Sequence, residues 1–176
     1  DFLEALERSA CVCPRTGWAP HHLLAHAGGK LVGAAPLYLK SHSQGEYVFD
    51  RSWAEALYQA GGEYYPKLQG AAPFTPATGR RLLTADPHDT AVERALALGA
   101  IEIARRTDAS SVHFTFLSRG EQERIAELGY LKRTGVLPAV PTMDEAGVPG
   151  FDVSSWFAAT APAAVPRPLI QRLYRE

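Results

Sequence analysis

The sequence predicts an α/β domain in which a mixed β-sheet is flanked by helices. Three observations carry this expectation. The second half runs in the order strand, long helix, strand, helix, strand, and parallel neighbours in such an order need helical crossovers. The first half opens with two strand-like runs joined by Ala27, Gly28 and Gly29, which gives an antiparallel start. The chain has 176 residues, of which 46% are hydrophobic and 21% charged, enough for one ordinary domain with a core of its own.

Each element has a local signal. A short helix is expected from Phe2 to Ser9, with Phe2, Leu3 and Leu6 on one side, and the turn-rich segment from Cys11 to Pro20 reads as a loop. His22 to His26 and Lys30 to Lys40 read as strands. Ser52, three residues before Glu55, is a capping-box pattern that opens a helix ending at Gly61 and Gly62. Tyr64 to Gly70 returns as a strand, Pro73 to Gly79 is a loop, and a short strand follows around Arg81 to Thr84.

Thr90 and Glu93 form a second capping box, after which Val92, Ala95, Leu96, Gly99 and Ile103 repeat at helical spacing up to Arg106. His88 and Asp89 just ahead of it are suited to capping. Val112, Phe114 and Phe116 alternate as a strand. Ser118 and Glu121 then cap a helix packed through Ile125 and Leu128, Gly129 ends it, and a strand begins at Tyr130. From Gly135 the texture changes, because six of the thirteen prolines follow and no periodicity is sustained. A poorly ordered tail is expected there, with a short helix from Phe151 to Ala159 and another near the end. The domain division expected is residues 1–134 and a divergent Pro/Ala-rich tail, 135–176.

Composition excludes several classes. A net charge of −1 gives no general attraction to nucleic acid or anionic lipid. No apolar stretch is long enough for a membrane span, and the acidic opening DFLEALERS lacks the order of a signal peptide, so a cytoplasmic location is expected. The absence of an initiator Met, with a helix already under way, points to a cut N-terminal edge. Cys11 and Cys13 are too few for a disulfide framework. With His21, His22 and His26 nearby they form a weak metal motif, and the expectation is reduced thiols and no metal.

The chemistry-bearing residues concentrate between Pro36 and Leu83, where five of the seven tyrosines fall. Amphipathic rings beside cations and hydroxyls suit a pocket for a polar organic ligand, and equally a Tyr-rich edge of the core. Three constellations stand out. Lys40 to Ser43 with Glu46 and Asp50 brings a hydroxyl, an imidazole and carboxylates close in sequence; His42 is the candidate general base, with Glu46 or Asp50 as its alternative, against a plain polar strand end. Tyr64, Tyr65 and Lys67 could stack a ring and offer an ammonium, or simply guard a sheet edge. Pro73 to Arg81 offers Thr75, Thr78, Gly79 and Arg80 to a phosphate or carboxylate, or is an ordinary loop. It is not a P-loop.

At these same segments the chain resembles a bacterial family of FemAB-like proteins, described as peptidoglycan biosynthesis proteins or N-acyltransferases. The words that carry the resemblance are TGWAPHHL, PLYLKSHSQGEYVFD, YYPKLQ and PFTPATGRRLL, and LGYLKRTG is similar to a late helix-to-strand step of GNAT-type acetyltransferases. The resemblance implies a GNAT-like fold, of which this would be the first of two such domains. Better-studied FemAB relatives transfer an amino acid from aminoacyl-tRNA onto an amine of a peptidoglycan precursor, and GNAT enzymes use acyl-CoA. The match itself implies neither donor nor acceptor, and the expectation is acyl-CoA or aminoacyl-tRNA as donor substrate, no firmly bound cofactor, and a small-molecule or peptidoglycan-precursor substrate. Two departures accompany it. Ala85 to Thr90, ahead of the long helix, holds neither glycine nor Lys or Arg where GNAT enzymes seat a pyrophosphate, and the stretch after Thr134 leaves the family pattern.

The function expected is therefore an N-acyl or aminoacyl transferase domain linked to the cell envelope. His42 or Glu46 would deprotonate the acceptor amine, and Tyr47 or Tyr64 would orient it. Lys67 and Arg80 would hold an anionic part of the ligand, with Lys40, Asp50, Tyr65 and Thr75 completing the binding set. The rivals are a non-catalytic module that recognises a peptidoglycan precursor, and an inactive half of a two-domain transferase.

Overall fold

The computed structural model describes residues 2–48, 50–135 and 155–160, and its elements form two sheets with helices on either side. In chain order these are α1 (Phe2–Arg8), β1 (Trp18–Pro20), β2 (Leu23–Ala27), β3 (Lys30–Ala35), β4 (Leu37–Lys40), α2 (Arg51–Gln59) and β5 (Lys67–Gly70). There follow β6 (Leu83–Thr84), α3 (Thr90–Arg106), β7 (Val112–Thr115), α4 (Arg119–Ala126), β8 (Leu131–Gly135) and β9 (Ser155–Thr160). The main sheet has the order β1-β4-β5-β7-β9-β8, and a smaller one the order β2-β3-β6. Strand β5 pairs parallel with β7, and every other pairing is antiparallel. The α/β class and the mixed sheet flanked by helices are as the sequence predicts.

Several local expectations are corrected. The run from Lys30 to Lys40 is two strands, not one: Pro36 supplies no N–H to a ladder and fixes φ, so the chain turns there from the small sheet into the main one. Trp18 to Pro20, expected as loop, pairs with β4. The strand expected from Tyr64 begins only at Lys67. None of the three capping boxes closes as written, and Ser118 makes no side-chain capping bond. Asp89, not Thr90, accepts from the Val92 N–H at 2.9 Å, and helix α2 begins after Asp50, whose carboxylate is engaged elsewhere. The helix expected over Phe151 to Ala159 is replaced, where the structure is described, by strand β9 between β7 and β8. Apart from Gly135 and β9, the tail and its second helix lie outside the described residues.

Strand alternation gives the main sheet two unlike faces. Leu37, Leu68, Val112 and Phe114 point to one side, where Leu96, Ala97, Ala100 and Ala104 of α3, Ile125 of α4, Leu82 and Tyr130 complete the aliphatic core. Arg124 holds α4 to α3 through a two-pronged ion pair with Glu93, at 2.7 and 2.8 Å. The opposite face carries Trp18, Tyr38, Lys40, Lys67, Gln69, His113 and Thr115, all buried. Residues paired across strands lie on the same face, and Lys40 is opposite Lys67, Tyr38 opposite Gln69, and Gln69 opposite His113. A smaller apolar group of Val12, Trp18 and Tyr38, with Leu6 of α1 against it, closes one end of this polar face.

Candidate functional site

Two strands deliver two lysines to one point. Lys40 ends β4 and Lys67 begins β5, and both side chains are wholly excluded from solvent. The segment between β4 and α2 folds back over them and supplies Ser43, Glu46 and Asp50. Lys67 Nζ lies 2.5 Å from Asp50 Oδ2 and 2.8 Å from Glu46 Oε2, and donates to Ser43 Oγ at 2.7 Å. The approach to Glu46 is bent away from hydrogen-bond geometry, so that contact is an ion pair; both Glu46 oxygens lack a hydrogen-bond partner. Lys40 Nζ is 3.8 Å from Glu46 Oε1, donates to the Gln44 carbonyl at 3.3 Å and sits 3.5 Å above the Trp18 ring.

A hydroxyl layer covers this core of charge. Ser43 donates to Asp50 Oδ2 at 2.7 Å and stands 2.7 Å from the Tyr65 hydroxyl, while the buried Tyr64 hydroxyl donates to the same Asp50 oxygen at 2.9 Å. Ser43 and Tyr65 are half-buried and form the rim of the cluster. His113 lies behind the Tyr64 ring and bonds Ser111 at 2.8 Å. Gln69 reaches Thr115 through its amide nitrogen at 3.0 Å and leaves its oxygen unpartnered.

Burial and charge set the protonation states. Burial drives Lys40 down to about 7, opposed by the Glu46 charge and reinforced by Lys67. Burial raises the Glu46 carboxyl, against the pull of both lysines. Lys67 loses affinity for its proton to burial but regains more from Glu46 and Asp50, so it is held above the ordinary lysine value. Burial also pushes Asp50 up, yet Lys67 and the donors Ser43 and Tyr64 win, and it stays below the usual carboxylate range. His113 is pushed down to about 3 by burial and the nearby Lys67. Tyr64 is raised by burial and by Asp50.

The structure thus gathers Lys40, Glu46, Asp50, Tyr64, Tyr65 and Lys67 of the expected set. His42 lies beside this group, not within it. Its Nδ1 accepts from the Gln44 N–H at 3.2 Å, its ring rests against Gly17, and burial with the Lys40 charge lowers its pKa. Gly17 has φ +74°, and a Cβ there would stand 2.2 Å from His42 Nε2. Tyr47 is exposed. Thr75 bonds the Pro73 carbonyl at 3.0 Å within its own turn. Arg80 is occupied by Thr84 at 2.9 Å, the Leu82 carbonyl at 3.3 Å and Glu93 at 3.7 Å, and none of its hydrogen bonds or ion pairs is with the lysine cluster.

Sequence reasoning passed over Trp18, Gln69, His113 and Thr115 as site residues and did not single out Ser43 within its segment. For His113 and Thr115 a signal existed: polar residues at every second position of a strand whose other positions are Val112 and Phe114 mark a second, polar face. Among the described residues no group of three or more His, Cys, Asp and Glu is placed to hold a metal. Cys11 and Cys13 are free thiols. No helix among those residues is long and apolar enough to cross a membrane.

Comparison with known proteins adds the following. The model of the FemAB-like family, described as peptidoglycan biosynthesis/recognition, matches residues 1–139. Two curated relatives match shorter stretches. A UPF0065 protein in the tcbD-tcbE intergenic region of Pseudomonas sp. (strain P51) is 44% identical over 57 residues, 31% of this chain and 17% of that protein. Another, in the TAR-I ttuE-ttuC′ intergenic region of Agrobacterium vitis, is 46% identical over 41 residues, 23% of this chain and 12% of its own length. The chain therefore matches less than a fifth of either relative. Among solved structures, the CoA-dependent acyl-homoserine lactone synthase BjaI, with SAM and isopentyl-CoA, superposes with a TM-score of 0.46 at 16% identity. The superposition covers 88% of this chain and 62% of BjaI, and the same values hold for BjaI with MTA.

Proposed function

Because the chain belongs to the FemAB-like family of peptidoglycan biosynthesis/recognition proteins, we propose that it is a cytoplasmic N-acyl or aminoacyl transferase domain that moves an acyl group onto an amine of a peptidoglycan precursor. The observation that carries the reading is the Lys40–Glu46–Lys67–Asp50 cluster, four ionisable groups withdrawn from water and approached through Ser43 and Tyr65. Burying ionisable groups costs stability even when they are paired, and such clusters concentrate at functional sites. Transfer to an amine needs a positioned acceptor and one proton acceptor. Glu46 fits that role: burial raises its carboxyl toward working pH, and its oxygens are not consumed by hydrogen bonds. His42 fits it less well, because its Nδ1 is already committed to the Gln44 N–H.

Acyl-CoA and aminoacyl-tRNA are the donors proposed. A second domain would complete the donor side, since Ala85 to Thr90 at the start of α3 offers no glycine or Lys/Arg to a pyrophosphate. That departure favours the second reading, a module that recognises the precursor without turnover. Incubating the chain with a UDP-linked muropeptide and either donor, and weighing the acceptor by mass spectrometry, separates the two. Gain of an acyl or aminoacyl mass supports the transferase. Saturable calorimetric binding of the muropeptide without mass gain supports the recognition module.

A further inference from the structure

The hydrogen bonds at the rim of the lysine cluster all point one way. Asp50 is held as a carboxylate and can only accept, so the 2.7 Å contact between Ser43 Oγ and Asp50 Oδ2 spends the serine's one proton. One lone pair of Ser43 Oγ takes a bond from Lys67 Nζ, and the other faces the Tyr65 hydroxyl, both at 2.7 Å. Ser43 has no proton left for that last contact, so Tyr65 is its donor. Burial raises the Tyr65 phenol above its ordinary value, and the proton the bond needs is therefore in place at neutral pH.

A phenol whose proton is spent inward offers only lone pairs outward. Tyr65 is half-buried, and among the described residues its hydroxyl has no other hydrogen bond. The O–H dipoles of Tyr65 and Ser43 both run toward the Asp50 carboxylate, which strengthens Tyr65 Oη as an acceptor. The Lys67 charge does not undo this, because Lys67 Nζ and Asp50 Oδ2 stand equally far from Ser43 Oγ. Lys67 has nothing to offer an incoming anion either: two of its protons go to Ser43 and Asp50, and Glu46 Oε2 lies on its remaining side at 2.8 Å.

We propose that Tyr65 Oη, with its hydroxyl oriented through Ser43 by Asp50, is the docking point for an N–H donor of the ligand, and that this donor is the primary amine of the acceptor. The choice of an amine rests on the transferase reading. An amine held through its N–H keeps the nitrogen lone pair clear of the hydrogen bond, which is the orientation that attack on an acyl carbon requires. A carboxylate or phosphate at the same point meets lone pairs and is turned away. Tyr65 touches the ligand, Ser43 is a positioning residue that fixes which way the phenol points, and no covalent bond is made or broken at either.

Three UDP-linked muropeptides that differ only in carrying a lysine, norleucine or glutamate side chain test this by calorimetric titration. The wild type should bind the lysine form roughly tenfold more tightly than the norleucine form, and Tyr65→Phe should lose that preference while keeping its affinity for the norleucine form. In Ser43→Ala the Tyr65 proton has lost its acceptor and is free to point outward, so the lysine-to-glutamate affinity ratio should fall roughly tenfold; Ser43→Thr, which keeps a hydroxyl, should retain the wild-type ratio. Absence of a lysine preference in the wild type, or its persistence in Tyr65→Phe, overturns the docking point. A preference that depends on Tyr65, with no acyl transfer to any amine, leaves the docking point standing and removes the transferase reading. Transfer with an unchanged KM for the lysine form in Tyr65→Phe does the reverse.

Discussion

Lys40 and Lys67 are cross-strand partners at directly opposed positions of β4 and β5, and both are wholly buried. Two like charges in that relationship repel, and the ladder tolerates them because the segment from Ser43 to Asp50 lays Glu46 and Asp50 against them. The pair is unequal. Lys67 has two carboxylates and stays charged, whereas Lys40 has one at 3.8 Å and burial holds its pKa down to about 7.

Removing Lys67 should therefore damage the fold as well as the site. Lys67→Ala leaves Asp50 and Glu46 as uncompensated buried carboxylates, and the expected loss is about 3–5 kcal/mol in chemical denaturation. A triple variant in which Lys67, Glu46 and Asp50 become Met, Leu and Asn should recover most of that loss. Failure to recover it would mean that Lys67 contributes by packing alone.

Lys40 gives the protein a signature in pH. Its folded value of about 7 lies below the unfolded lysine value, so the unfolded chain binds more protons between these limits and stability rises with pH across that window. The rise is at most about 1.4 kcal/mol per pH unit for one proton. In Lys40→Met this component vanishes, and urea unfolding between pH 7 and 9.5 should show a flatter profile than the wild type. That interval stays below the titration of the tyrosines, whose raised values act in the opposite sense.

Glu121 tests how the loop after β5 is fastened. Its carboxylate accepts from the Arg81 N–H at 2.9 and 3.2 Å and from the Leu82 N–H at 2.6 Å, while the Arg81 side chain donates to the Thr115 and Ala77 carbonyls at 3.1 and 2.7 Å. Glu121→Ala orphans two buried amides and should cost about 2–4 kcal/mol, seen as a fall in Tm. Arg119→Ala, whose partner Glu123 is exposed on the same helix, should cost less than about 0.5 kcal/mol.

Gly17→Ala should displace His42. The new Cβ would meet the imidazole, and φ +74° costs an L-residue about 1–2 kcal/mol. A shift in the His42 ring resonances together with a drop in Tm is expected. Unmoved resonances would show that the ring does not rest there.

The sequence announced the class of the fold through the alternation of strand and helix patterns, and it drew the eye to the segment that holds the cluster. Most of what it missed is contact between distant residues. Ser118 and Glu121 read as a capping box, yet Glu121 turns to Arg81 and Leu82. Ser52 and Glu55 read the same way, while Asp50, the residue at the helix start, is drawn off by Lys67. In both cases a local rule yields to a buried partner that no short window contains. Arg80 reads as free to grip an anion for the same reason, its partners being Thr84 and Glu93.

The two-faced main sheet also governs how the chain finds its alignment. A slip of one residue in β5 would turn Lys67 and Gln69 into the aliphatic core and expose Leu68 to the carboxylates. It would also bring a side chain to the place of Gly70, where an added Cβ would lie 2.2 Å from Phe114 Cδ1. Buried charge on one side and a missing side chain on the other therefore act as two pins through the same strand, and the arrangement that gathers the lysines is also the one that locks β5 in register.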